Sequence, residues 1–183
     1  LRTHGMKAYA IDLSINPSFK GLDYYLAMDA TATAFSNDSV DTMSLQCAYE
    51  MFFGDSDGKY PDECQRVLKP GGVVVISPLY MHTHHCGYSS PEYWGKGYAD
   101  AGAVEYVRRE IRGIPFSRKY SAKTLKQRVL DRLSKHGMAS SSIGWITRWH
   151  SGRIFIAILS WHSPRPRHHL SESYAQKGID GGR

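Results

Sequence analysis

The chain has 183 residues, of which 42% are hydrophobic, and a formal net charge of +6. This length suits one ordinary globular domain with a sizeable core, and the mild basic charge permits an acidic partner without requiring one. A charge of this size does not by itself indicate a nucleic-acid binder, so we do not expect nucleic acid as a partner.

The chain contains three cysteines, Cys47, Cys64 and Cys86, with no Cys-x-x-Cys pair among them. An odd number without such a pair fits neither a self-contained disulfide framework nor a closed zinc site, so we expect a reducing, cytoplasmic location. No segment approaches the roughly 18 consecutive apolar residues of a membrane helix, and the first residues lack the apolar core of a signal peptide.

The first third of the chain predicts two short strands, each followed by an acidic residue. Residues 7–13 read as a buried strand ending at Asp12, and residues 22–28 read as a short strand followed by Asp29. An acidic residue at the carboxyl end of a strand can accept hydrogen bonds from both hydroxyls of a ribose. The alternative interpretation of Asp12 is a capping or turn residue.

Residues 36–79 predict a strand, a helix and a second strand. The strand covers residues 40–45, the amphipathic helix residues 60–68, and the second strand the β-branched run 73–76. Pro70 closes the helix, and the pair Gly71 and Gly72 supplies a positive-φ turn into the second strand. We interpret residues 54–58, between the first strand and the helix, as a solvated turn.

Two motifs of this unit carry a family resemblance. Residues 35–41 lie before the first strand, and Arg-Val-Leu-Lys-Pro-Gly-Gly-Val occupies residues 66–73. Together they resemble the class I S-adenosylmethionine-dependent methyltransferases, and the resemblance extends over roughly residues 1–161. It implies an α/β, Rossmann-like sheet, mostly parallel with a C-terminal antiparallel hairpin. The expected domain covers residues 1–162, followed by a polar tail at 163–183.

The resemblance also implies S-adenosylmethionine as the cofactor and assigns residues to it. Asp12 would hold the ribose, while Asp29 would accept from the adenine amino group and the backbone N–H of Ala30 would meet a ring nitrogen. Leu13 and Gln46 complete the expected cofactor-binding set. Asp29 is also a common turn residue, which is the alternative for that position.

Several side chains are expected to face the methyl acceptor. Ligands of open α/β sheets bind at the carboxyl ends of the strands, so residues just past residue 45 are candidates. The expected substrate-binding residues are Tyr49, Glu50, Tyr80, Tyr93 and Trp94, the last two lying on an aromatic loop at residues 89–100. We expect Cys47 to be a small buried residue rather than a nucleophile.

Residues 80–88 are the chemically richest stretch, because His82, His84, His85 and Cys86 fall within five positions. Such a group could bind a transition metal, supply a general base for an acceptor hydroxyl or amine, or form a polar loop without chemistry. We assign the three histidines as candidate catalytic bases and assign no metal site.

The later chain predicts two helices and a hairpin. Residues 101–111 read as an amphipathic helix, and Ser121 as the N-cap of a second helix that ends near Gly137. Residues 142–149 and 153–161 read as antiparallel strands joined by a hairpin at residues 150–152.

The resemblance has a gap at the front. The family places a first strand and a glycine-rich turn before an opening helix, but no residues before Lys7 supply them. The missing strand belongs between the strands of residues 7–13 and 40–45, so we expect the chain to be N-terminally incomplete. A preceding segment, or a second copy in a homo-oligomer, would fill the gap; the remaining alternative is that the first two strands pack differently.

The sequence therefore predicts a methyltransferase that acts on an oxygen or nitrogen nucleophile of a small-molecule or sugar-like acceptor, with no membrane partner. The protein aligns donor and nucleophile and, where needed, removes a proton. The alternatives are a non-catalytic methyltransferase-like binding module, a fragment inactive alone, and a metal- or polyanion-binding protein.

Overall fold

A computed structural model describes the backbone of residues 2–149 and 152–162 and the side chains of residues 2–138. The predicted tail and the tip of the predicted hairpin, residues 150 and 151, lie outside this range. The strands are β1 (Ala10–Asp12), β2 (Tyr25–Ala27), β3 (Val40–Gln46), β4 (Leu68–Met81), β5 (Cys86–Ser89), β6 (Val104–Val107), β7 (Ser117–Lys119), β8 (Ala139–Trp149) and β9 (Gly152–His162). The helices are α1 (Ser56–Val67), α2 (Ala122–Leu125) and α3 (Asp131–Lys135), the last two joined by a π-helical turn at Lys126–Leu130.

The main sheet has four strands in the order β3-β4-β9-β8. Strand β3 runs parallel to β4, with Thr42 opposite Val73 and Gln46 opposite Ser77. Strand β9 runs antiparallel to both β4 and β8. The predicted α/β class, the parallel β3–β4 pair and the C-terminal antiparallel hairpin are confirmed.

A second, separate sheet contains only β1 and β2, which pair in parallel with Ala10 opposite Tyr25. Among the described strands, none pairs with the free edge of β1 or with that of β3. Four residues of β3 are exposed, which are Asp41, Thr42, Ser44 and Gln46. The two sheets are thus divided at the position where the sequence predicts a missing strand.

The core lies between the main sheet and the helices. The buried cluster comprises Tyr49, Tyr60, Cys64, Leu68, Val74, Ile76, Leu79, Tyr120, Leu125, Val129, Leu133 and Met138. Helix α1 begins at Ser56, four residues before the predicted start, and Asp57 in its first turn is fully buried. The predicted solvated turn is found at the exposed Gly54 and Asp55 but is wrong for residues 56–58, because these begin α1 and Asp57 pairs with the distant Arg118, which is buried, and Arg128, which is partly buried.

The predicted glycine pair lies near the start of β4, between Leu68 and Val73, where the pairing with β3 is irregular. Gly71 has a φ of +81°, the left-handed conformation that glycine adopts without steric cost. Gly72 has no room for a side chain, because a Cβ there would lie 2.9 Å from the Lys69 carbonyl oxygen and 3.1 Å from that of Asp41. The two glycines thus have different roles, one conformational and one steric.

A third sheet, in the order β6-β5-β7, corrects one prediction. Residues 101–111 contain the strand β6, parallel to β5, and not an amphipathic helix. Exposure alternates along β6, with Val104 and Tyr106 outward and Glu105 and Val107 partly buried. Glu105 accepts hydrogen bonds from the Ser89 hydroxyl and the Gly95 backbone, so tertiary contacts favour the two-residue period of a strand.

The late helical segment and the final strands match their predictions. The Ser121 hydroxyl accepts from the backbone N–H of Thr124, and the Thr124 hydroxyl accepts from the backbone N–H of Ser121, which forms a capping box. Gly137 ends the segment with a φ of +67°. Within the part of the chain that the structure describes, no helix has the length and apolar character needed to cross a bilayer.

Glu63 on α1 ties the chain after β2 to the helix. Its carboxylate accepts from the Thr33 backbone N–H (2.7 Å), the Thr33 hydroxyl (2.6 Å) and the Arg66 guanidinium (2.9 Å). Burial raises the pKa of Glu63, but the hydrogen bonds from Arg66 and Thr33 lower it by more, so the net pKa lies below the ordinary 4.5. Such a group contributes stability above pH 4.5 that is lost as the pH falls through the folded-state pKa.

We predict that Glu63→Gln lowers the free energy of unfolding by about 1–3 kcal/mol at pH 7, because the charged acceptor is lost. The difference between wild type and variant should shrink as the pH falls below 4.5 and through the folded-state pKa of Glu63, because the wild-type carboxylate then becomes protonated. Urea unfolding at pH 7 and at a pH below 4.5 measures this. The control is Asp41→Asn, an exposed carboxylate paired with Lys69, and an equal loss at both pH values for Glu63→Gln would contradict the prediction.

Candidate functional site

The carboxyl ends of β1 and β2 lie side by side. Asp12 is the last residue of β1, and its backbone carbonyl accepts from the Met28 backbone N–H at 2.8 Å. The Asp12 side chain is exposed and makes only a long contact of 3.4 Å with the backbone nitrogen of Ser14. Its carboxylate is therefore available to a ligand at this edge.

Asp29, directly after Met28, forms a local turn. Its Oδ1 accepts from both the backbone N–H and the hydroxyl of Thr31, each at 2.8 Å. This is the turn role that the sequence left as an alternative, but Oδ2 has no hydrogen-bond partner among the described residues. Ala30 is partly buried and packs against the core. Asp29 can thus form the turn and still offer one oxygen to a ligand.

The other two predicted cofactor residues lie apart from this pair. Leu13 is 77% exposed. Gln46 ends β3 in the main sheet, and its side-chain amide donates to the Ser44 hydroxyl at 2.7 Å. The structure brings Asp12 and Asp29 to neighbouring strand ends and leaves Gln46 across the gap between the two sheets.

A buried polar group follows β3 on the acceptor side. Glu50 is 9% exposed, burial raises its pKa, and its Oε2 has no hydrogen-bond partner among the described residues. A buried carboxylate oxygen without a partner is costly, so a ligand donor there would be favourable. Glu50 thus retains the ligand-binding capacity predicted for it.

Lys119, at the end of β7, is close enough to Glu50 for the two charges to interact. The sequence did not point to this lysine. Its Nζ donates to the Ser117 hydroxyl at 2.8 Å and lies 4.1 Å from the centroid of the Tyr80 ring. Burial lowers the pKa of Lys119 to about 8, and the nearby charge of Glu50 opposes this shift. Burial and the Glu50 charge raise the pKa of Tyr80. No motif surrounds Lys119, so sequence signals could not have identified it.

Two predictions for residues after β3 are wrong. Tyr49 is 1% exposed and its hydroxyl donates to the Asp57 backbone carbonyl at 2.6 Å, so it belongs to the core and not to a substrate wall. Cys47 is exposed, with a φ of +50°, where a buried position was expected. The chain turns sharply at Cys47, which moves the following aromatic ring inward.

The three predicted histidines do not form one site. His82 is 9% exposed, and its ring packs edge-on against His84 with centroids 4.3 Å apart. Burial, and next the neighbouring His84, lower the pKa of His82. His85 instead directs Nε2 to Asp100, at 3.0 Å, and its buried Nδ1 has no partner among the described residues. This geometry argues against His85 as a base that meets the acceptor beside the other two.

Beneath these residues lies a buried ionic network that the sequence analysis also missed. Arg118, 1% exposed, donates to Asp100 from Nε (2.6 Å) and Nη2 (2.7 Å). Burial raises the pKa of Asp100, but hydrogen bonds from Arg118 and His85 hold it well below its usual range. Asp57 accepts from Arg128 at 2.6 and 2.8 Å. The network connects α1, the loop before β6, β7 and the π-helical turn, and so holds these elements together.

The predicted aromatic wall is only partly formed. Trp94 is 57% exposed, whereas Tyr93 packs edge-on against Tyr98 with centroids 5.3 Å apart. A cavity of about 140 Å³ lies on the inner side of Tyr98. Its lining residues are Met51, Phe52, Phe53, Tyr98, Pro115, Phe116 and Arg118.

Comparisons with known proteins agree on one fold. Residues 1–76 match the family model described as a methyltransferase domain, and no curated protein matches the chain. A solved S-adenosylmethionine-dependent methyltransferase from Methanosarcina mazei has a TM-score of 0.50 at 13% identity, with 77% of this chain and 67% of that one covered.

Two further solved structures are similar. The 1,6-didemethyltoxoflavin-N1-methyltransferase of Burkholderia thailandensis, with bound 1,6-didemethyltoxoflavin and S-adenosylhomocysteine, has a TM-score of 0.56 at 11% identity, covering 89% of this chain and 64% of that one. The PH0226 protein of Pyrococcus horikoshii has a TM-score of 0.51 at 12% identity, with 90% of this chain and 74% of that one covered. The chain thus spans about two thirds of the length of the first two structures.

Proposed function

We propose that this chain binds S-adenosylmethionine and serves methyl transfer. Residues 1–76 match the methyltransferase domain model, and the fold is similar to that of solved S-adenosylmethionine-dependent methyltransferases. The acceptor is an oxygen or nitrogen nucleophile on a small or sugar-like molecule. The observation that carries the proposal is the family match over residues 1–76, in which Asp12 ends β1 and Asp29 lies two residues after the end of β2.

The donor occupies the carboxyl ends of β1, β2 and β3. Asp12 accepts from the ribose hydroxyls, while Asp29 and the backbone of Ala30 meet the adenine, with Leu13 and Gln46 beside the cofactor. The exposed Asp12 carboxylate and the unpartnered Oδ2 of Asp29 support these roles. A strand between β1 and β3, from a preceding segment or a second copy, would pair with both free edges.

The acceptor lies against Glu50, Tyr80 and Lys119, with Tyr93 and Trp94 on the outer loop and His82 and His84 at the rim. Methyl transfer forms a bond from the acceptor heteroatom to the methyl carbon and breaks the sulfur–carbon bond of the donor. The products are the methylated acceptor and S-adenosylhomocysteine, and the acceptor releases its proton. Support comes from Oε2 of Glu50, whose missing partner an acceptor hydroxyl or amine would supply.

We predict that Glu50→Ala lowers kcat/KM by about 10- to 100-fold, because one hydrogen bond to a buried charged group is lost. Binding of S-adenosylmethionine should be unchanged. Steady-state kinetics with an acceptor found by screening hydroxyl- and amine-bearing small molecules measures the first quantity, and calorimetry the second. Glu110→Ala, at an exposed carboxylate, is the control, and equal activity of Glu50→Ala and wild type would contradict this role.

A second candidate function is a non-catalytic module that uses the same fold to bind a partner. The free edges of β1 and β3, which flank the donor side, favour it. The two functions separate when one preparation is both titrated with S-adenosylmethionine and assayed for methyl transfer. Donor binding with methyl transfer supports the enzyme, and the absence of donor binding supports the module.

A further inference from the structure

We propose that His82, His84 and Cys86 form a binding site for a divalent transition metal of the zinc type. One ligand atom from each of the three side chains lies within 4.8 Å of the other two. The metal ligands would be two imidazoles and one thiolate. Zinc prefers nitrogen and sulfur ligands of this kind, whereas magnesium and calcium take oxygen ligands. Methyl transfer needs no such set, so the proposal does not depend on the proposed function, although His82 and His84 also lie at the rim of the proposed acceptor site.

Both ends of this segment are held in place. His82 directly follows β4, and its backbone N–H donates to the Tyr120 carbonyl at 2.7 Å. Cys86 is the first residue of β5, lies between Val104 of β6 and Lys119 of β7, and is fully buried. Only the short connection through His84 has to adjust when a metal binds.

The required adjustment is small. Zinc lies about 2.0–2.1 Å from imidazole nitrogen and about 2.3 Å from sulfur, which sets ligand atoms in a tetrahedral site roughly 3.3–3.8 Å apart. Contraction from the present maximum of 4.8 Å is therefore on the order of 1 Å. Side-chain rotation at the partly exposed His84 can supply this movement.

The hydrogen bonds around the two rings suit a metal. Nε2 of His84 lies 3.0 Å from the Tyr106 hydroxyl, which orients the ring and leaves Nδ1 as its ligand atom. Among the described residues, Nδ1 of each ring makes only long contacts. Thr83 Oγ1 lies 3.3 Å from Nδ1 of both His82 and His84, and the backbone N–H of His84 donates to Nδ1 of His82 at 3.4 Å. Such weak contacts would be exchanged for metal bonds at little cost.

Three protein ligands leave a fourth tetrahedral position open for water or another small ligand. Lys119 lies across from Cys86 in the β5–β7 register, and its positive charge favours the thiolate that a metal requires. The opposing factor is burial, which raises the pKa of the Cys86 thiol to about 11 in the absence of a metal. Metal binding should therefore release a proton from Cys86.

The test uses the full chain, purified without a histidine tag, stripped with a chelator and titrated with Co²⁺ and then Zn²⁺. We expect a single Co²⁺ site whose absorption includes a thiolate-to-metal charge-transfer band, which Zn²⁺ abolishes by displacement. Cys86→Ser should lose the band and Cys47→Ser, at an exposed thiol, should retain it. A band that persists in Cys86→Ser, or no saturable binding by wild type, would overturn the proposal.

Because substitution of the buried Cys86 can impair folding, two exposed positions provide independent tests. His84→Ala should weaken Co²⁺ binding more than tenfold, and Tyr106→Phe should weaken it by about 10- to 100-fold through loss of the outer hydrogen bond. His136→Ala, a histidine paired with Asp62 elsewhere, is the matched control. Unchanged affinity in His84→Ala would assign the bound metal to other histidines and would also overturn the proposal.

Discussion

Replacement of Asp57 by Asn is expected to lower the free energy of unfolding by about 3–5 kcal/mol. Asp57 is fully buried and accepts hydrogen bonds from Tyr120 (2.7 Å) and Arg128 (2.6 and 2.8 Å). Nη1 of Arg118 lies 3.4 Å from Oδ2 of Asp57. When Asp57 loses its charge, Asp100 is the one carboxylate of the network that remains for Arg118 and Arg128. A buried cation that loses its partner carries a desolvation cost without an opposing attraction.

Urea unfolding followed by circular dichroism measures this loss. Asp55→Asn, two residues earlier, is the matched control, because Asp55 is half exposed and pairs with Arg132 at the surface. The control should change the unfolding free energy by less than about 1 kcal/mol. Equal effects of the two substitutions would show that the buried network does not hold the acceptor side together.

Replacement of Asp12 by Asn is expected to weaken S-adenosylmethionine binding by about 10- to 100-fold. The proposed role gives the carboxylate two ribose hydroxyls as donors, and hydrogen bonds to a charged acceptor are stronger than those to a neutral amide. Because the Asp12 side chain is exposed and makes only one long contact, the fold should be unaffected.

Calorimetric titration of the two proteins with S-adenosylmethionine gives the ratio of their dissociation constants. Asp23→Asn is the control, since Asp23 is an exposed carboxylate near β2 whose charge change is the same. Weaker binding in both variants to the same degree would point to overall charge and not to a ribose contact. Unchanged binding in Asp12→Asn would remove Asp12 from the donor site.

Local signals predicted the strand–helix–strand unit well. Pro70 and the Gly71–Gly72 pair specify the exit from α1 through backbone restrictions that act within a few residues. The capping box at Ser121 is equally local. In such segments, short-range chemistry and the tertiary fold favour the same conformation, so the sequence alone is informative.

Long-range contacts decided the segments that were predicted wrongly. Residues 101–111 carry apolar residues at helical spacing, but pairing with β5 and the contacts of Glu105 favour the strand β6. Asp57 was assigned to solvent because a polar, glycine-flanked segment usually is, whereas its partners lie more than 60 residues away. The sequence pattern near a residue carries no information about such partners.

In the candidate site, too, local features could be predicted and long-range contacts could not. The placement of Asp12 and Asp29 at or just after the ends of neighbouring strands could be predicted, because strand ends and acidic residues are both visible in the sequence. Lys119 and the separation of His85 from the other histidines could not, because β7 is only three residues long and its neighbours come from distant segments. The gap between β1 and β3 was predicted from the family resemblance, not from local pattern.

Binding of S-adenosylmethionine is the most direct test of the assignment as a methyltransferase. Isothermal titration with S-adenosylmethionine should be performed on this chain and on the protein with any residues that precede Leu1. We expect saturable heat from a single site in at least one of the two preparations, with the larger affinity where a strand pairs with the free edges of β1 and β3. The absence of binding heat in both preparations would contradict the assignment as a methyltransferase.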